Sequence, residues 1–257
     1  MMYKIAIAHP GKIGDALYTL PTIRELCRRH NTQADFYTSS LCAPVLPLFL
    51  AQDEIVNTII PTDYEVVDFI RQGVQPWEMP VPAHEYKKIY QLGFKEAPKG
   101  ALPEYIAETA GLPREVGKTI QYQVPCELHP LAAKVKKYIV MASRGIRSSD
   151  KLFYGLLREF ADKVKIPIIE IGSEGEAIGC GHNLTGIDML SMAKVISASQ
   201  GFVGYMSAPL VIANGFPIKK VIVHNGKMGL IEHTVQSDLS LYALNPKVED
   251  IIDWFKE

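Results

Sequence analysis

The chain has 257 residues, 47% of them hydrophobic and 21% charged, with a formal net charge of -1. This composition describes a folded globular protein of one large α/β domain or two small ones, and it excludes a disordered chain. The near-neutral charge excludes a global pull toward nucleic acid or an anionic membrane, and no apolar run reaches membrane-spanning length.

Lys4 and the short run after it read as a first strand and not as a signal peptide. Ile5-Ala6-Ile7-Ala8 is apolar throughout, as a buried parallel strand requires. His9 to Gly14 holds a Pro and two Gly, so the backbone turns there and lets a ligand approach closely. Asp15 follows where a helix begins. Ile23, Leu26 and Cys27 then fall at helical spacing, with Arg24, Glu25, Arg28 and Arg29 on the opposite face. The unit is strand, glycine loop, carboxylate, helix. Ligands of open α/β sheets bind at the carboxyl ends of strands, where Asp15 falls. Asp15 therefore fits two roles, a helix N-cap or a general base. The glycine loop has neither the residue order of a nucleotide P-loop nor the spacing of the dinucleotide fingerprint.

Ala34 to Thr38 reads as a second strand, and Ser39, Ser40 and Pro44 open a short apolar helix to Leu50. Ile55 to Ile60 is a third strand, closed by Pro61, and residues 63–71 are weakly helical. Gln75 to His84 is Pro-rich and reads as a loop. Lys87 to Phe94 is another strand. Leu102 to Ala110 is a helix with Pro103 near its start, ended by Gly111 and Pro113. Gln121 to Pro125 is extended.

The pattern breaks around Cys126 to Lys137, which sets a domain boundary. Tyr138 to Ala142 is again a strand, followed by the polar loop Ser143-Arg144-Gly145-Ile146-Arg147-Ser148-Ser149-Asp150-Lys151. A helix follows, capped by Ser149, with Leu152, Phe153, Leu156, Leu157, Phe160 and Val164 on its apolar side. The second half thus restarts as the first did, and the repetition predicts two Rossmann-like domains. Ile166 to Ile171 is a strand leading into the acidic glycine loop Gly172-Ser173-Glu174-Gly175-Glu176. Asp188 caps a helix from Met189 to about Ser199, whose Met189 and Met192 read as core. Gly201 to Tyr205 is a strand, Ser207-Ala208-Pro209 opens a helix, and Lys220 to His224 is a further strand. Pro246 starts a last amphipathic helix bearing Val248, Ile251, Ile252, Trp254 and Phe255. Cys27, Cys42, Cys126 and Cys180 are scattered and read as reduced thiols of a cytoplasmic protein.

Two of these stretches carry a resemblance. Gly11 to Arg29, Gly-Lys-Ile-Gly-Asp-Ala-Leu-Tyr-Thr-Leu-Pro-Thr-Ile-Arg-Glu-Leu-Cys-Arg-Arg, resembles the opening motif of glycosyltransferase family 9, the ADP-heptose:lipopolysaccharide heptosyltransferases and their relatives. Asn183 to Ser199 is similar to that family's Leu-x-Gly stretch and the helix preceding its nucleotide loop. The resemblance implies a GT-B fold: two Rossmann-like domains with mostly parallel sheets facing a cleft. Residues 1–133 would take the acceptor and residues 134–257 the nucleotide-sugar, with the last helix, 246–257, packing back on the N-terminal domain. It also implies that Asp15 is the catalytic base. The sequence departs from the family at Met206, Ala208 and Val211, where an Asp, a Gly and a His are usual. The chain is also short beside the family, which implies trimmed acceptor loops.

Inverting sugar transfer needs a base for the acceptor hydroxyl and positive charge for the leaving diphosphate. Ser143, Arg144, Ser148 and Lys151 lie on one loop at a helix start, where free N–H groups and the helix dipole favour anions. That loop reads either as a solvated basic turn or, with the resemblance, as a phosphate site. Ser207 and Ala208 offer further donors. Glu174 and Glu176 fit ribose hydroxyls or an exposed acidic turn. His9, Lys12 and Gly14 flank Asp15 and fit contact with the acceptor or a phosphate; for His9 the simpler reading is a loop position without a role.

No metal-ligand spacing is visible. The expectation is therefore a metal-independent enzyme, with no cofactor besides its nucleotide-diphosphate sugar and with a lipopolysaccharide-like glycan as acceptor. No nucleic-acid partner and no membrane span are expected, and the location is cytoplasmic, with peripheral contact at the inner face of the membrane left open. Two alternatives stay open beside it: a catalytically weakened nucleotide- or glycan-binding protein on the GT-B fold, and a GT-B nucleotide-sugar epimerase.

Overall fold

The computed structural model describes residues 4–59, 77–144, 153–224, 231–235 and 237–256. The expected helix at 63–71, the cap at Ser149 and the site residues Ser148 and Lys151 lie outside the described residues. The chain divides into two units. Met1–Gln123 with Glu232–Val235 form the first, and Val124–Ile231 with Gln236–Glu257 form the second. The break thus falls between Gln123 and Val124, and Glu232–Val235 returns to the first unit, where His233 Nδ1 lies 3.0 Å from the Gly100 carbonyl oxygen.

The first unit runs β1 (Ile5–Ala8), α1 (Ile13–Leu17), α2 (Leu20–His30), β2 (Ala34–Tyr37), α3 (Leu46–Leu50), β3 (Ile55–Ile59), β4 (Lys88–Gln91) and α4 (Leu102–Thr109). Its strands are parallel, in the order β3-β2-β1-β4. On β1, Ile5 stands opposite Ala34 on one side and Lys88 on the other. All four residues of β1 are buried, which explains an apolar run without alternation. The helix expected after Asp15 is two helices. Pro21 lacks an N–H and its ring would clash with the carbonyl four residues earlier, so a continuous helix is broken before it. Thr19 caps the break by donating its hydroxyl to the Ala16 carbonyl at 2.6 Å. α2 then buries Ile23, Leu26 and Cys27 against the sheet, each large apolar side chain contributing roughly 1.5–3 kcal/mol. Phe36 on β2 stacks on Phe49 of α3 with ring centroids 4.7 Å apart.

The second unit runs α5 (Pro130–Val135), β5 (Ile139–Ala142), α6 (Tyr154–Val164), β6 (Ile168–Glu170), β7 (His182–Asn183), α7 (Met189–Ser197), β8 (Gly201–Gly204), α8 (Ala208–Ala213), β9 (Lys219–His224), β10 (Ser240–Leu244) and α9 (Val248–Lys256). Its strands are also parallel, in the order β10-β9-β8-β5-β6-β7. α5 and the edge strands β7 and β10 are additions to the sequence reading. The first is a short helix in a stretch without apolar period, and the other two are edges with little burial. Asp188 caps α7 as expected, its carboxylate accepting the Leu190 and Ser191 N–H groups at 2.9 Å.

The last helix packs within the second unit. The apolar face of α9 is spent in the second unit: Val248 and Ile251 join Leu157 and Phe160 of α6 in its core, and the Phe255 ring lies 5.9 Å from that of Phe160. Gly201 at the start of β8 leaves room for Phe255, which a Cβ there would strike. Lys219 of β9 donates its Nζ to the Trp254 carbonyl at 3.0 Å. The buried face belongs to the core of the second unit.

Each sheet has one place where the chain reverses its direction of growth. In the first unit the chain moves outward through β2 and β3, then β4 lands on the other side of β1. In the second it moves from β5 to β6 and β7, then β8 lands on the other side of β5. Crevices for ligands form at the carboxyl ends of such strand pairs.

Candidate functional site

In the first unit the crevice lies beyond the ends of β1 and β4, and His9 bridges it. Its Nδ1 is 2.8 Å from the Leu92 carbonyl oxygen. A carbonyl only accepts, so Nδ1 carries the hydrogen and Nε2 presents a lone pair. The ring has no exposed surface and packs edge-on against Phe94. Burial lowers its pKa to about 4, against the Leu92 hydrogen bond, so the ring is neutral at pH 7. The sequence reading offers His9 contact with the acceptor or a phosphate; in the structure its ring has no exposed surface.

Asp15 sits in the first turn of α1, where Lys12 is the N-cap residue. Its Oδ2 accepts the Lys12 backbone N–H at 3.1 Å, closing the first turn as a capping-box carboxylate does. The N-cap reading of Asp15 is thus shifted by three residues. The carboxylate is half-buried, as are Lys12 and Gly14. Gly11 lies between it and the imidazole. A Cβ there would collide with His9 Nε2, and it would stand 2.8 Å from Asp15 Cβ and 3.1 Å from Asp15 Oδ2. Glycine at 11 therefore serves this close approach. Cys42, from the turn after β2, donates its Sγ–H to the Gly11 carbonyl at 3.3 Å. Burial pushes its thiol up to about 11, with Thr38 opposing and the nearby negative charge of Asp15 adding to it. The thiol is neutral and is no nucleophile here.

In the second unit the crevice lies beyond β5 and β8. Ser143 and Arg144 follow β5, and Met206, Ser207 and Ala208 follow β8. The fold thus brings these two expected donor loops to the same pair of strand ends. Ser143 is buried and donates its hydroxyl to the Glu176 carbonyl at 2.8 Å. Arg144 is exposed. Ser207 precedes α8 and donates its hydroxyl back to the Tyr205 carbonyl at 3.2 Å, while Ala208 is half-buried as the first helical residue. Val211 is buried in α8. Glu174 is exposed at the loop tip. Glu176 is instead turned inward. Its Oε2 accepts the Ser173 N–H at 2.8 Å and lies against Gly172, whose φ of 145 favours glycine. Its carboxylate closes the turn that presents Glu174.

One carboxylate escaped the sequence reading. Glu170 at the end of β6 is buried and accepts three backbone N–H groups, from Ile178 and Cys180 at 2.6 Å and from Gly181 at 3.1 Å. The run Ile-Ile-Glu-Ile held the clue, since a carboxylate in a buried strand must find donors. Arg158 of α6 ties the same loop by donating to the Ile178 carbonyl at 3.2 Å. Glu170 and Glu176 together fix the loop from 172 to 181.

The class these two sheets define is the GT-B glycosyltransferase fold, and comparison with solved structures bears this out. No family model matches the sequence, and no curated protein does. TibC of enterotoxigenic E. coli H10407, an iron-containing dodecameric glycosyltransferase, matches 95% of this chain with a TM-score of 0.65 and 10% identity; this chain spans 63% of TibC. TibC is also known as a heptosyltransferase in complex with ADP-D-beta-D-heptose. ADP-heptose lps heptosyltransferase II of E. coli matches 98% of this chain and 97% of its own, with a TM-score of 0.62 and 12% identity. A putative UDP-N-acetylglucosamine 2-epimerase of Listeria monocytogenes matches 100% of this chain and 89% of its own, with a TM-score of 0.53 and 9% identity.

The expectation of a protein without metal is corrected by these comparisons, because TibC is iron-containing. Among the described residues no group of three or more His, Cys, Asp or Glu side chains is placed to hold a metal ion, so no step is built on iron here. Among the described residues no helix is long and apolar enough to cross a membrane.

Proposed function

We propose that this chain is a divergent relative of the family 9 heptosyltransferases. In this reading it transfers a sugar, with inversion, from a nucleotide-diphosphate donor to a glycan acceptor. The observation that carries the reading is the placement of Asp15: a half-buried carboxylate on the first turn of α1, one residue after Gly14, at the reversal point of a parallel sheet. A carboxylate there is suited to take the acceptor hydroxyl's proton as the new C–O bond forms and the diphosphate leaves with its electron pair. The first unit would take the acceptor, with Lys12 and Gly14 beside Asp15. The second would hold the donor, with Arg144 and the α8 start at Ser207 and Ala208 near the diphosphate and Glu174 near the ribose. Ser148 and Lys151 belong to the same proposed donor loop by sequence. ADP is the favoured nucleotide, because the heptosyltransferases of this fold use ADP-heptose.

A second reading is favoured by Met206 and Val211, which replace a carboxylate and an imidazole usual in the family. On that reading the protein binds a nucleotide or a glycan and turns over poorly. The deciding experiment is a thermal-shift screen of ADP, GDP, UDP and CDP, followed by product analysis with ADP-heptose. A ligand at one hundred times its dissociation constant stabilises by ~2.7 kcal/mol, which raises the melting temperature. The transferase reading expects one base to stand out and a sugar to be transferred. Binding without transfer supports the second reading. Conversion of a nucleotide-sugar without an acceptor marks an epimerase, and no shift with any nucleotide at millimolar concentration removes the transferase.

A further inference from the structure

A tryptophan and a lysine are brought together at the carboxyl end of β4. Gln91, the last residue of β4, stands beside Ala8, the last of β1. Its side-chain amide holds Met79 from both directions: Oε1 accepts the Met79 N–H at 3.0 Å, and Nε2 donates to the Met79 carbonyl at 2.7 Å. This fixes the chain just after Trp77. Gly93 then lets Trp77 itself come close. A Cβ at Gly93 would collide with the Trp77 carbonyl oxygen and would stand 3.1 Å from Pro10 Cγ. Pro10 lies on the loop between β1 and α1, so the Trp77 backbone is packed beside the loop that leads to Asp15.

Lys95 is placed from the other side. Its backbone N–H donates to the Tyr105 hydroxyl oxygen at 3.1 Å, which ties the turn after β4 to α4. Its Nζ stands 4.2 Å from the centroid of the Trp77 ring. An ammonium at that distance is attracted by the negative face of the indole. Trp77 is half-buried and Lys95 is exposed, so the cation is confined and still open to solvent.

We propose that Lys95, held in place by Trp77, is a specificity-determining anion site of the first unit. It selects acceptors that carry a carboxylate or a phosphate. This rests on the reading of the first unit as the acceptor domain. A lysine side chain normally loses rotamer freedom when it grips an anion; here the indole has already confined it, so less is lost on binding. Trp77 is the positioning residue and Lys95 the one that meets the ligand. Lys88 provides an internal comparison. Its Nζ lies 4.7 Å from the centroid of the Tyr90 ring, but Lys88 begins β4 beside Ile5, at the opposite end of the sheet from the crevice.

The test uses the full chain and neither nucleotide nor turnover, so its failure is distinct from failure of the transferase reading. Both tryptophans are labelled with fluorine, and Trp77→Phe assigns their two ¹⁹F signals. The probes are methyl glucuronide for a carboxylate, inorganic phosphate for a phosphoryl group, and methyl glucoside as the neutral reference. At least one anion should move the Trp77 signal with about tenfold higher affinity than methyl glucoside, as one charge-assisted hydrogen bond allows. The anion that does so identifies the acceptor's charged group. Added salt should weaken the response, because the cation is exposed. Lys95→Ala should abolish the preference for the anion, and Lys88→Ala should leave it intact. Equal affinity for the anions and methyl glucoside, no movement of the Trp77 signal with any probe, or a preference that survives Lys95→Ala would overturn the proposal. The first two outcomes are read on the wild type and need no variant beyond the assignment.

Discussion

At the carboxyl end of β1 the crevice is backed by a fully buried imidazole and a half-buried carboxylate, packed so closely that only glycine fits between them. At the carboxyl end of β5 the second unit has a crevice of its own, bordered by backbone groups, a buried hydroxyl and an exposed arginine, while the neighbouring carboxylates Glu170 and Glu176 are consumed in holding a loop. The two sheets share a reversal point, yet one places a half-buried carboxylate near a buried, neutral imidazole and the other a rigid loop with charge at its rim. What separates them is burial: Glu170 is buried under three backbone N–H groups, whereas Asp15 is half-buried.

The comparison breaks most sharply at Asp15. Asp15→Asn should cut turnover by at least ~100-fold, at the lower end of general-base effects, and leave ADP affinity unchanged. Steady-state kinetics and calorimetry measure the two, and a parallel loss of ADP binding would mean that the division of labour is wrong.

His9 gives the next largest effect, on stability. Its pKa is 6.5 when unfolded and about 4 when folded. The unfolded chain therefore takes up the proton first as pH falls. The stability contribution is complete above pH 6.5 and is lost as pH drops toward 4, by about 3 kcal/mol in all. Urea unfolding across this range should show a shallower pH slope in His9→Phe than in the wild type.

Glu170→Ala tests the other sheet. It strands three N–H groups on the 178–181 stretch and should lower stability by ~2–3 kcal/mol. Chemical denaturation reads the loss. An Asp15 titration unchanged by the substitution would show that the two sites are independent.

Arg144→Ala should have the smallest effect. Loss of one charge-assisted hydrogen bond to a phosphate is worth roughly 1.5 kcal/mol, about tenfold in ADP affinity, with adenosine affinity unchanged. Equal losses for both ligands would place Arg144 away from the diphosphate.

The sequence by itself determined the periodic parts. Runs such as Ile5 to Ala8 and Tyr138 to Ala142, short, apolar and followed by turn residues, read as buried strands, and the spacing of Ile23, Leu26 and Cys27 or of Leu157 and Phe160 fixes helix faces locally. The glycine loop, the carboxylate after it and the cap at Asp188 are equally local, so they were readable too. Tertiary structure decided everything that depends on partners distant in the chain. Leu92, 83 residues away, sets the tautomer of His9. The crossing of β4 to the far side of β1 makes the crevice at Asp15. Glu176 is an inward turn-closer while Glu174 stays exposed, a difference that two identical side chains on one loop do not reveal. The last helix shows the same limit: its apolar face was plain from spacing, but spacing names no partner, and the core that accepted Val248 and Ile251 exists only once β5, β8 and α6 have come together. Burial and hydrogen-bond satisfaction are properties of the assembled sheets, and they turned a loop histidine into a buried lone pair behind a carboxylate.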